Sequence, residues 1–98
     1  MKFVMTAGCD RPRWMERINM TALGSANYVE RNTVEECMDF CLDDPRCVGV
    51  DVDWDLNPKR CWSHFNEDDF KEDNIYAQPG TTSYQLITRC AATVTTGS

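Results

Sequence analysis

Six cysteines in 98 residues, Cys9, Cys37, Cys41, Cys47, Cys61 and Cys90, constrain this chain more than any other feature. An even set spread from end to end of a short chain reads as a disulfide framework, the usual device where a small core only narrowly offsets chain entropy. Six cysteines can pair in many ways, so the count leaves the connectivity open and the spacing has to supply it.

Thr33, with Glu36 three residues on, forms a capping box in front of Cys37-Met-Asp-Phe-Cys41 and predicts a helix N-terminus. Val34, Cys37, Met38, Cys41 and Leu42 follow the i, i+3, i+4, i+7, i+8 pattern of one buried face. Pro45 disfavours helical geometry at Asp44 and ends the helix after about three turns. Cys37 and Cys41 lie on one helix face, so their side chains point the same way and are poorly oriented to bond each other. Each needs a partner off the helix. Cys47, just past the Asp43-Asp44-Pro45 turn, can fold back on Cys41, and Cys61 in the following strand can reach Cys37. By elimination Cys9 pairs with Cys90 and ties the two ends together.

After the helix, Val48, Val50, Val52 and Trp54 alternate with Gly49, Asp51, Asp53 and Asp55, the period of a half-buried strand with its carboxylates toward water. Asn57-Pro58-Lys59 supplies a turn, and Cys61-Trp62-Ser63-His64-Phe65 returns as the antiparallel partner. A third strand is expected around Tyr84, Leu86, Thr88 and Cys90. The acidic stretch from Glu67 to Asp73, leading to Pro79-Gly80, reads as a solvated loop with room for a helical turn. The N-terminal third, through Trp14, Ile18, Met20 and Leu23, is weakly periodic and suggests one strand before a loop at Gly24-Ser25. These elements make an α+β domain of one helix packed on a small antiparallel β-sheet. Residues 1–8 read as an N-terminal extension, 9–90 as the domain, and 91–98 as a flexible tail or linker.

Composition narrows the partners. Sixteen Asp and Glu against ten Lys and Arg, with no basic run, argue against nucleic acid. No stretch approaches the roughly 18 apolar residues of a membrane span, which argues against membrane insertion. Met1-Lys-Phe-Val-Met5 is too short for a signal-peptide core, so an extracellular chain of this kind is expected to be a domain excised from a larger protein. Asn19-Met20-Thr21 is a possible glycosylation acceptor in a secretory pathway.

The sequence Cys37-Met-Asp-Phe-Cys41, then Cys47-Val48-Gly49-Val50, then Cys61-Trp62 resembles the PAN/apple domain family. The outer pair Cys9 and Cys90 and the late strand Ser83-Tyr84-Gln-Leu-Ile87 match the apple form of the pattern. The resemblance implies a helix crossing an antiparallel sheet of about five strands, extracellular or secreted, that binds protein or carbohydrate and catalyses nothing. Family members serve as such modules in secreted proteases, growth factors, microneme adhesins and matrix proteins. They share a fold and not a ligand.

Weighed as sites, Cys37, Cys41, Cys47, Cys61 and His64 make a poor zinc set, because two ligands would sit a helical turn apart and Cys9 and Cys90 would be unused. His64 reads more simply as a strand residue. Asp51, Asp53 and Asp55 invite a calcium reading, although Leu56 and Trp62 stand where an EF-hand needs Gly and a bidentate Glu. No cofactor is expected. One histidine, no nucleophile elbow and no phosphate-binding glycine loop argue against an enzyme. Trp14, Trp54 and Trp62 are the aromatic candidates for a binding surface, with Trp54 expected at the end of the apolar strand face. The leading expectation is protein–protein contact; the alternatives are a lectin-like adhesion module, which needs an exposed Trp or Tyr beside carboxylates or amides, and a calcium-assisted matrix module. Trp54, Trp62, Asp51, Asp53 and Asp55 are the ligand-binding candidates. Three bridges lower the intact mass by about six protons relative to the reduced protein; six freely alkylated thiols in the unreduced protein would point to zinc instead.

Overall fold

A computed structural model describes residues 11–89. Helix α1 spans Val34–Leu42, and the strands are β1 (Arg13–Ala22), β2 (Val29–Arg31), β3 (Gly49–Asp53), β4 (Lys59–His64) and β5 (Ile75–Thr88). All pairings are antiparallel, in the order β1-β5-β3-β4-β2.

The helix begins where the capping box places it. Thr33 Oγ1 accepts from the Glu36 amide at 3.1 Å, and Glu36 Oε1 accepts from the Thr33 amide at 3.1 Å. Two of its otherwise orphaned N-terminal donors are thereby satisfied. The C-terminal end is closed from a distance: the Arg89 guanidinium donates to the carbonyl of Leu42 at 2.9 Å and also to those of Asp44 and Cys47. A cation there complements the negative end of the helix dipole.

Cys37 and Cys41 turn inward and have no exposed surface. Cys37 is bonded to Cys61 and Cys41 to Cys47, each with Cα atoms 5.3 Å apart. Closing 24 and six residues of separation, they restrict the unfolded chain by about 3.5 and about 2.4 kcal/mol in the loop-entropy account. Val50, Val52 and the four cysteines form the core, with Trp14, Val29, Val34, Met38 and Tyr84 packed around it. The expected pairing of Cys9 with Cys90 lies outside the described residues.

Three expectations need correction. The third strand begins at Ile75, well before Tyr84, and runs through Pro79-Gly80. It tolerates that pair at a bulge: Ile18 faces Thr82 while Met20 faces Ala77, and opposite the extra residues Asn19 adopts φ 58°. The Asn19 carboxamide oxygen accepts from the Gly80 amide at 3.1 Å, and Gly80, at φ +90°, packs against the Asp55 carboxylate. Second, the N-terminal third carries two strands, β1 and the short β2. Third, the acidic stretch is more ordered than a loop with one helical turn: it forms two 3-10 turns, Glu67–Phe70 and Glu72–Asn74, whose acids except Asp69 remain exposed. Phe70 is buried against Gly49, where an added Cβ would collide with the ring and lie 2.8 Å from the Tyr84 carbonyl oxygen.

Gly49→Ala is therefore expected to lower stability by about 1 to 3 kcal/mol through overpacking, and Thr33→Ala by about 1 kcal/mol through loss of the cap. Urea midpoints measure both. A Gly49→Ala protein as stable as the parent would refute the docking of Phe70 on β3.

Candidate recognition surface

The register of the sheet separates two faces. Cross-strand partners share a face, so Gly49, Asp51 and Asp53 of β3 lie with His64, Trp62 and Arg60 of β4 and with Gln85, Ser83 and Thr81 of β5. Val50, Val52 and Cys61 lie on the other, beneath the helix. Alternation predicts a solvated face for the Asp set. Asp51 overturns that expectation, being fully buried.

The second cover comes from distant sequence. Beyond the bulge at Asn19, the tip of the β1–β5 ribbon reaches across the sheet, where the Ala22 amide and Thr21 Oγ1 donate to Asp51 Oδ2 at 2.8 and 3.0 Å. The first 3-10 turn brings Asp69, whose Oδ2 lies 2.9 Å from His64 Nδ1, and Phe70, whose ring centroid is 4.8 Å from that of His64. His64 Nε2 lies 3.1 Å from Asp51 Oδ2 but has no well-aligned hydrogen bond, so this contact is chiefly ionic. Burial pulls the imidazole toward its neutral form; the carboxylates of Asp51 and Asp69 outweigh that, and the net pKa stands above the ordinary 6.5. The constellation joins an imidazole to two carboxylates, yet His64 has no accessible surface on which a substrate could be met. Its place is structural.

Closer to the surface, Asp53 orients Trp62. Trp62 Nε1 donates to Asp53 Oδ2 at 2.9 Å and Thr81 Oγ1 to Asp53 Oδ1 at 2.6 Å. The Tyr28 ring lies tilted 4.8 Å from Trp62, and the Arg60 guanidinium sits 4.7 Å over Tyr28. Trp62 is half-buried and lines two shallow grooves, one with Thr21, Gln78 and Thr81 and one with Leu23 and Ser25. An aromatic ring held in place beside amide and hydroxyl groups can stack on a flat ligand and hydrogen-bond its rim.

The sequence candidates are thus divided. Trp62 and Asp53 come together. Asp51 is buried beneath the ribbon tip, and Asp55 is exposed and packs on Gly80 at the bulge. Trp54 leaves the apolar strand face on which it was expected; β3 ends at Asp53, and Trp54 sits in the following turn, 39% exposed. Asn19 is exposed, with its carboxamide oxygen holding the bulge. Trp14 packs edge-on to Tyr84 beside the core. The four cysteines of the zinc reading are in disulfides. Among the described residues no three His, Cys, Asp or Glu side chains are arranged to hold a metal ion. Tyr28, Gln78 and Asp69 were not foreseen, because they reach the sheet through the β2–β4 pairing, the ribbon and the 3-10 turn respectively.

No model of a known protein family matches the chain, and no curated protein or solved structure matches it. The chain is a small disulfide-bonded α+β domain.

The raised pKa of His64 sets a pH dependence. Below pH 6.5 the imidazolium contributes its full stabilisation; between 6.5 and the raised value the folded state keeps a proton that the unfolded chain has lost, so stability falls as pH rises and is gone above the raised value. The thermal midpoint is expected to fall as pH is raised above 6.5, and His64→Gln to abolish this decline while costing about 3 to 5 kcal/mol at pH 6 by leaving Asp51 without its cation. An unchanged pH profile in the variant would remove His64 from this role.

Proposed function

We propose that this domain is an extracellular, non-catalytic recognition module of the PAN/apple kind that binds another protein from within a larger secreted or cell-surface molecule. One observation carries the protein-binding reading: the β1–β5 ribbon leaves Met15, Ile18, Met20, Tyr76 and Ile87 exposed, from 36% for Met20 to 61% for Ile18. Met15 and Ile18 lie on opposite faces of the edge strand, so the apolar surface is spread around the ribbon edge, and exposed apolar area on a small domain marks a contact surface. The helix on a five-stranded antiparallel sheet, with Cys37 bonded to Cys61 and Cys41 to Cys47, is the arrangement that the PAN/apple resemblance implies and supports that assignment. The same two bonds favour an oxidising compartment. The third bridge, Cys9 to Cys90, belongs to the same reading.

A second reading, a lectin-like module, is favoured by Trp62, whose ring is fixed by Asp53 and flanked by Tyr28 and Gln78. The calcium-assisted alternative has less support, since Asp51 is buried with donors of its own and Asp53 accepts from Trp62 and Thr81.

Probing an array of extracellular protein domains and a glycan array in parallel separates the two readings. Protein hits weakened at least tenfold by Ile18→Lys are expected. Glycan hits abolished by Trp62→Ala would transfer the function to the aromatic groove, and silence on both arrays would overturn the recognition reading.

A further inference from the structure

Strand β1 is an edge of the described sheet and pairs on one side only, with β5. Residues 14–18 pair with β5 without a register shift, between irregularities that follow Arg13 and Ile18. Among the described residues no other strand pairs with the outer side of this stretch, an edge of the kind that natural proteins usually blunt with a bulge, a proline or a cover. Here it carries Met15 and Ile18, about half or more exposed.

Beside it opens a groove of about 600 Å3, lined by Arg17, Ile18, Met20, Phe70, Glu72 and Ile75. Its walls are apolar and its two charges are of opposite sign. Arg17 Nη1 is shielded from solvent with no hydrogen-bond partner, and Arg17 forms no ion pair among the described residues. A shielded donor without a partner is costly, and a guanidinium is geometrically matched to a carboxylate.

We propose that β1 takes up an extended peptide segment of another protein as a sixth strand, with an acidic side chain on Arg17 and an apolar one in the groove against Met20 and Phe70, on the face that Arg17 shares with Ser83 and Asp51. This rests on the protein-binding reading above and specifies its partner. In strand addition the main-chain bonds provide affinity and the side-chain pockets provide choice. Because strand residues two apart share a face, the recognised pattern is acid-x-apolar. Glu72 at the groove disfavours a second acid there.

A random-peptide phage library selected on the disulfide-intact protein tests this. Acid-x-apolar sequences are expected to be enriched, and a synthetic peptide from that pool should shift the backbone amide NMR signals of residues 14–18. Arg17→Gln should weaken it at least tenfold and Arg17→Lys less. Glu72→Lys, on an exposed turn, should strengthen it several-fold, and Asp39→Ala on the exposed side of the helix should leave it unchanged. The proposal is overturned by a pool without the pattern, by peptides whose shifts centre on Trp62, or by light scattering showing that a second copy of the chain occupies the edge. It is also overturned if protein-array hits are insensitive to Arg17→Gln, a result that leaves the broader protein-binding reading standing.

Discussion

Asp51 lies in the middle of the central strand with none of its surface in water. A lone carboxylate there would cost several kcal/mol, so the chain around it has to deliver compensating charge and donors. It does so with three groups from two directions: His64 from β4, and the Ala22 amide and Thr21 hydroxyl from the ribbon tip. His64 in turn fixes Asp69, and with it the 3-10 turn whose Phe70 seals Gly49. One buried charge thereby dictates how two segments remote in sequence close over the sheet.

The two faces of the sheet follow different physics. Beneath the helix the core is small, built from valines and cystine sulfurs, and its cohesion comes from covalent bonds that restrict the unfolded chain. On the opposite face the interior is polar, and its stability is conditional on protonation. This division also accounts for the apolar exterior. With valine and cystine filling one side and ions the other, Met15, Ile18, Met20, Tyr76 and Ile87 of the ribbon have no core to enter and remain at the surface.

Helix α1, its cap and its two disulfides were legible because each depends on contacts within a few residues or across one hairpin. The β3–β4 pairing was legible for the same reason. Burial of Asp51 was not, because period-2 alternation reports which side chains share a face but says nothing of whether a distant segment covers that face. Pro79-Gly80 has the look of a strand break, and only the left-handed Asn19 opposite it turns that break into a bulge. His64 gave no local hint of its two carboxylates, since Asp51 arrives through sheet register and Asp69 through a separate turn. Trp62 was legible as an aromatic in a strand; its partners Tyr28 and Gln78 were not.

The same contact that buries Asp51 shapes both candidate binding regions. Thr21 and Ala22, which donate to its carboxylate, also form walls of the grooves around Trp62. Met20, next in the chain, and Ile75, opposite Ala22 in the ribbon, line the groove on the other side. The ribbon tip is thus a shared partition, held down by an ion cluster rather than by a disulfide among the described residues. Weakening the cluster reshapes both grooves while leaving the helix face, pinned by Cys37–Cys61 and Cys41–Cys47, in place. The candidate binding grooves and the polar interior therefore share one structural partition, separate from the covalently stapled half of the domain.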